Sequence, residues 1–182
     1  MDAVQELVAR DQIRQLAERY ALGVDGRDLE AVAAQFSERS RWGRYGTGRE
    51  GAMTFYDHIL RQFHCTMHLV GNHVIDFDDD EHAHGIVYCR AHHHVPEPEH
   101  WFDLAFTYWD RYECEDGRWL IVSRELKAWY TQYWDHPEHS LTRETAQSTV
   151  AGARKGQQLP ASFPHWAEFD ERAPRPIPGT SA

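Results

Sequence analysis

The chain has 182 residues, a formal net charge of −10 and an apolar content of 41%, enough for one domain with a sizeable core. Its 19 Lys and Arg against 29 Asp and Glu argue against a nucleic-acid partner, because phosphate affinity rests on clustered cations. No apolar run approaches the roughly 20 residues of a membrane span, and the N-terminal MDAVQELVARDQ is acidic and helical rather than a basic, apolar signal, so a cytoplasmic protein with no membrane partner is expected.

Val4, Leu7 and Val8, then Ile13, Leu16, Ala17, Tyr20, Ala21 and Val24, have helical spacing with a break in phase near Asp11. This predicts a short helix followed by a second one capped by Asp11 and ending at Asp25-Gly26. Asp28 opens a third helix with Leu29, Val32, Ala33 and Phe36 as its buried stripe, Ser40 to Tyr45 reads as a strand, and Gly48 to Gly51 leads into a helix through Phe63. Two strands then fold back across an acidic turn at Asp78 to Glu81. Strands from His100 to Cys114 and from Arg118 to about Tyr133 follow, joined by Glu115-Asp116-Gly117, a hairpin signal. Helices followed by long antiparallel strands indicate an α+β fold, a strongly curved sheet with helices over one face. The domain is expected to span residues 1–135. Residues 136–182 form a C-terminal extension: a short helix within His139 to Ala153, then a proline-rich arm whose Trp166 and Phe169 suit docking.

Histidine is the unusual residue, with thirteen in all. Side chains alternate along a strand, so parity sorts those between Cys65 and Val95. On the first strand His68, Val70 and Asn72 share one face, and Met67, Leu69, Gly71, His73 and Ile75 the other. On the second, Val87, Cys89, Ala91, His93 and Val95 lie opposite Tyr88, Arg90, His92 and His94. His92 and His94 could hold zinc, iron or copper with a third ligand, but no carboxylate or cysteine stands at a telling spacing beside them, so no metal is expected. The acidic run Asp76 to Glu81 lacks calcium-loop spacing and reads as a solvated turn. The three cysteines, Cys65, Cys89 and Cys114, lie in predicted strands without a CxxC pair and read as free thiols.

The order helix, helix, curved sheet, with GVD near the end of the first long helix and MHLVGN on a strand, resembles the SnoaL-like branch of the nuclear transport factor two superfamily. That branch includes scytalone dehydratase, bile-acid dehydratase, hexachlorocyclohexane dehydrochlorinase and polyketide cyclases, and the likeness runs from about Leu7 to Tyr133. It implies a cone-shaped mixed sheet whose concave face and N-terminal helices enclose a pocket. It also implies that Asp25 pairs with His68, that Tyr20 falls on a catalytic tyrosine one turn earlier, and that His93 falls on a second active-site histidine. Tyr108 falls on a polar position lining the cavity. Two positions depart from the pattern: Arg44 stands where these dehydratases place a tyrosine, and Ala91 where one of them has an acidic residue.

The chemistry follows from these side chains. An imidazole can take and return a proton near neutrality, and a carboxylate on its far nitrogen holds the tautomer and stabilises the imidazolium. Asp25 faces the negative end of its helix dipole, a local cost that often marks function, although Asp25-Gly26 alone is also an ordinary helix stop. His93 would protonate a leaving hydroxyl or steady an enolate oxygen. Phe106, Tyr108 and Trp42 would form walls, with Arg44 and Phe55 contributing to substrate binding and Phe55, Tyr56 and Phe63 closing one end. As single residues, these aromatics suit a filled core equally well. The expected function is a cofactor-independent, dehydratase-type lyase acting on a hydroxylated cyclic, polyketide- or steroid-like molecule. Isomerisation, cyclisation, dehydrohalogenation and a non-catalytic binding or scaffold role remain open. Trp109, Trp119 or Trp129 on the outer face would support a homodimer or homotrimer.

Overall fold

A computed structural model describes residues 1–134 and 163–179. Helix α1 runs unbroken over Ala3–Gly26, in place of the two helices expected to meet at Asp11. Asp2 accepts the N–H groups of Val4 and Gln5, and Gln5 accepts the Asp2 N–H, a capping box that starts the helix early. No Gly or Pro follows before Gly23, and Asp11 merely accepts a surface hydrogen bond from Gln15 at 2.7 Å. Val4, Leu7 and Val8 are exposed, so the phase break marks where the helix begins to bury a face.

The helix ends where expected, with Arg27 in the left-handed conformation at φ 59°. Asp28 then caps α2 (Leu29–Ala33), accepting from the Ala31 N–H at 2.9 Å. A Cβ at Gly23 would stand 2.9 Å from Val32 Cγ2, so the tight α1–α2 crossing requires glycine. The strand expected over Ser40 to Tyr45 does not form. Arg41 makes one isolated bridge to Thr47, and Gly43–Tyr45 is a 3-10 turn, because Gly43 and Gly46 take positive φ values of 58° and 107° that interrupt an extended run. Helix α3 (Gly48–Leu60) follows.

Four strands, β1 (Cys65–Phe77), β2 (His82–Pro96), β3 (Glu99–Glu115) and β4 (Arg118–Trp134), form an unclosed antiparallel meander in that order. Among the described residues, parallel pairing is confined to an isolated bridge between Phe36 and Ile121. Asp79 caps the first turn by accepting the Glu81 and His82 N–H groups, each at 2.8 Å. Asp116 and Gly117, with φ 51° and 79°, make the primed turn that an Asp-Gly hairpin favours.

One irregularity in β1 reassigns a histidine. Between Val70 and His73 the register slips, so that Gly71 and Asn72 oppose Tyr88 alone. An extra residue inverts the parity beyond it. His73 and Ile75 therefore join His68 on the concave face, against the simple alternation that set them apart. The core lies between this face and the helices, with Ile13, Val32, Phe36, Val87, Phe106 and Ile121 almost wholly buried. Trp119 is buried too, whereas Trp109 and Trp129 are exposed.

The arm is not wholly extended. Residues Trp166–Glu171 form helix α4, and Phe169 is buried in the same core cluster. Arg61 and Arg172 both donate to the fully buried Asp57, clamping this segment to α3. The helix expected within His139 to Ala153 lies outside the described residues. Among the described residues no helix is long and apolar enough to cross a membrane.

Candidate active site

Asp25, in the last turn of α1, reaches β1 with both oxygens. Oδ1 accepts from His68 Nδ1 at 2.7 Å and from Thr66 Oγ1 at 2.8 Å, and Oδ2 accepts the His68 backbone N–H at 2.8 Å. An ionised carboxylate only accepts, so Nδ1 of neutral His68 carries the proton and Nε2 holds the lone pair. The imidazole side chain is 6% exposed, which keeps that basic nitrogen in a largely dry setting.

Three elements bring rings around His68. The Tyr20 ring lies 6.5 Å away, His93 5.8 Å and Phe106 6.5 Å, each edge to face. The Tyr108 and Tyr20 hydroxyls stand 3.4 Å apart. Burial pushes the Tyr108 phenol well above its ordinary value, so this hydroxyl stays protonated and can donate. His93 stacks on Phe102 at 4.5 Å and touches Phe63 at 4.9 Å. Burial, reinforced by neighbouring His68, lowers it to about 4. It is therefore neutral at pH 7, which suits steadying an oxygen by hydrogen bonding, one of the two roles expected for it.

Arg124 is the residue that sequence reasoning missed. Its guanidinium packs over the Tyr108 ring at 4.0 Å and the Tyr20 ring at 4.4 Å, and it donates to both oxygens of fully buried Asp110 at 2.8 and 2.6 Å. Tyr112 also donates to Asp110, at 3.0 Å, and meets His73 Nε2 at 3.0 Å. Arg124 Nη1 has no hydrogen-bond partner among the described residues. A fixed cation with a spare donor, packed on the Tyr20 ring that in turn touches His68, can stabilise negative charge that develops beside it. One signal was available: Asp110 alternates with Phe106, Tyr108 and Tyr112 on the buried parity of β3, and a carboxylate in that position requires a cation. Counting back from the Asp116-Gly117 turn sets Ser123 opposite Asp110. The register shift between Arg111 and Tyr112 puts Arg124 there instead.

Other expected positions fall elsewhere. Arg44 is exposed, lies over the Tyr45 ring and donates to its hydroxyl at 2.8 Å, since the 3-10 turn removes the strand that would have aimed it inward. Trp42 and Phe55 pack 5.2 Å apart in a cluster that reaches Tyr20 through Tyr56 and Phe36. His94 stacks on Trp101 at 4.5 Å, and His92 lies 3.7 Å from Asp103.

A curved antiparallel sheet covered by N-terminal helices matches the cone fold of the nuclear transport factor two superfamily. Within that class the SnoaL-like domain profile matches residues 5–125, and the chain belongs to the SnoaL-like domain family. Its fold is similar to the crystal structure of LinA, with TM-score 0.69 and 24% identity over 74% of this chain and 95% of that one. It is similar also to hexachlorocyclohexane dehydrochlorinase LinA-type3 from Novosphingobium barchaimii, with TM-score 0.68 and 22% identity over 72% and 94%. A protein from Novosphingobium aromaticivorans provisionally assigned as a scytalone dehydratase is similar with TM-score 0.62 and 27% identity over 70% and 89%. No curated protein matches the chain in sequence.

Proposed function

We propose that this protein is a cofactor-independent lyase of the dehydratase type, acting on a hydroxylated cyclic molecule of polyketide or steroid character. The observation that carries the reading is the bond between Asp25 and His68 Nδ1 inside an aromatic enclosure. His68 Nε2 takes a proton from a carbon next to a carbonyl, and the C–H electrons move to form the new double bond. The neighbouring C–O bond breaks, and its oxygen leaves as water carrying the proton that the His68 imidazolium returns, which regenerates the neutral base. Asp25 stabilises the imidazolium, while Tyr20, Tyr108, neutral His93 and the Arg124 cation offer hydrogen bonds or charge to the oxygens that become negative. Arg124 suits a leaving halide as well as a leaving hydroxyl, so dehydrohalogenation is the second reading. Isomerisation and cyclisation share the first step.

The test is a panel of hydroxylated polycyclic ketones and chlorinated cyclohexanes, followed by mass spectrometry for loss of water or HCl and by exchange of the acidic C–H in D2O. Turnover or exchange that disappears in His68→Ala, with the fold retained, supports the reading. Wild-type protein that binds panel members without exchanging or eliminating assigns the chain to ligand binding. The convex sheet face, with Met67, Leu69, Tyr88, Trp109 and Tyr130 exposed, supports self-association as a homodimer or homotrimer.

A further inference from the structure

Arg27 is an unusual residue where it stands. It occupies the left-handed position after α1, at φ 59°, a conformation that favours glycine over any residue with a Cβ, and it is only 2% exposed. We propose that Arg27, backed by the C-terminal segment, is a positioning residue that orients Asp25 against His68 through the hydroxyl of Thr66. The inference rests on the reading of His68 as the base and extends that site to the arm.

The direction of each hydrogen bond is forced. A guanidinium only donates: Arg27 Nη1 donates to Val24 O at 2.9 Å and to Thr66 Oγ1 at 3.1 Å, and Nη2 to Phe63 O at 3.2 Å. With Arg27 donating to its oxygen, Thr66 directs its single proton to Asp25 Oδ1 at 2.8 Å, the same oxygen that receives His68 Nδ1. The carboxylate is thus held by Thr66, the His68 ring and the His68 backbone, and a cation polarises the first of these donors.

The arm supplies the outer wall of this arrangement. Trp166 covers Arg27 with its ring 4.6 Å from Cζ, and Phe169 follows at 5.7 Å. Phe163 packs on Gly26 so closely that a Cβ there would stand 3.1 Å from its ring. Arg61 donates to Phe169 O at 3.1 Å, and Asp57 holds Arg61 and Arg172. Burial lowers Arg27 to about 10, with the Asp25 charge opposing that shift, so the guanidinium remains charged at neutrality. The titratable groups in contact with the His68 ring are Asp25 and Tyr20 on α1 and His93 on β2, with Tyr108 on β3 and Arg124 on β4 joined to them through Tyr20. Arg27 links Asp25, through Thr66, to Trp166 and Phe169 of the arm.

The experiment is an NMR titration of the His68 imidazole in the full-length protein, assigned with His68→Gln, for wild type, Thr66→Val, Trp166→Ala and Trp166→Phe. Loss of the polarised donor makes Asp25 a stronger partner for the imidazolium. Thr66→Val and Trp166→Ala should therefore raise the His68 midpoint by about half a pH unit or more, and Trp166→Phe should restore it. A purely structural arm would lower the melting temperature in Trp166→Ala and leave the midpoint where it was. An unmoved midpoint in folded Trp166→Ala overturns the proposal, whatever happens to Thr66→Val. A shifted midpoint together with full turnover in His68→Ala would keep the positioning role and remove the catalytic reading.

Discussion

His68 gives Nδ1 to Asp25, so the basicity of Nε2 and the stability of its protonated form depend on one carboxylate. Asp25→Asn is nearly isosteric but can donate to Nδ1 and favour the wrong tautomer. We expect kcat to fall by about 10³- to 10⁴-fold with little change in the urea midpoint. An undiminished kcat would show that the carboxylate does not act on the imidazole. His73 and His93 carry a separate prediction. Burial holds both near 4 against an ordinary 6.5, so between those values the unfolded chain binds more protons than the folded one. Their contribution to stability is complete above pH 6.5 and is lost as pH falls toward 4, on the order of 2 kcal/mol each after allowance for partial exposure. Denaturant unfolding at pH 7 and pH 5 measures it. His93→Phe should flatten the pH dependence, and an unchanged slope would contradict burial as the cause.

At the scale of elements, two irregularities decide which side chains meet. The slip between Val70 and His73 turns His73 inward, and the one between Arg111 and Tyr112 brings Arg124 opposite Asp110. The α+β order and the hairpin at Asp116-Gly117 were legible in the sequence because they follow from local spacing and turn chemistry, whereas the pairing of Asp25 with His68 was implied by the family resemblance alone. Arg124 was not. Its place depends on a register shift between two strands, which no local pattern announces. The pair it makes is fully desolvated at Asp110. Removing one partner leaves the other charge buried, so Asp110→Ala should cost about 3–5 kcal/mol in urea unfolding. A loss below 1 kcal/mol would mean that Arg124 finds another counter-charge. The strand expected at Ser40 to Tyr45 failed for the opposite reason: Gly43 and Gly46 are local signals that outweigh a short β-prone run.

At the scale of the molecule, the helices cover the concave face while the convex face keeps large side chains in solvent. Leu69 is 65% exposed, Tyr88 44% and Trp109 45%. A contiguous apolar area of this kind is usually an interface. Light scattering should give a mass above one chain for wild type and a shift toward monomer for Leu69→Glu with Tyr88→Glu. Wild type that stays monomeric at every concentration would leave the convex face without this role. The sequence by itself determined the helical cover, the long hairpins and the two residues that resemblance pairs, since periodicity, turn chemistry and motif are carried by neighbours in the chain. Only the tertiary structure decided that His73 turns to the concave face, that Arg124 packs on Tyr20 and Tyr108, that burial keeps His93 neutral at pH 7, and that Trp166 closes over Arg27 behind Asp25. Register shifts, desolvation and the docking of an arm are set by contacts between residues far apart in the chain, and a single inserted residue is enough to exchange the inside of a strand for its outside.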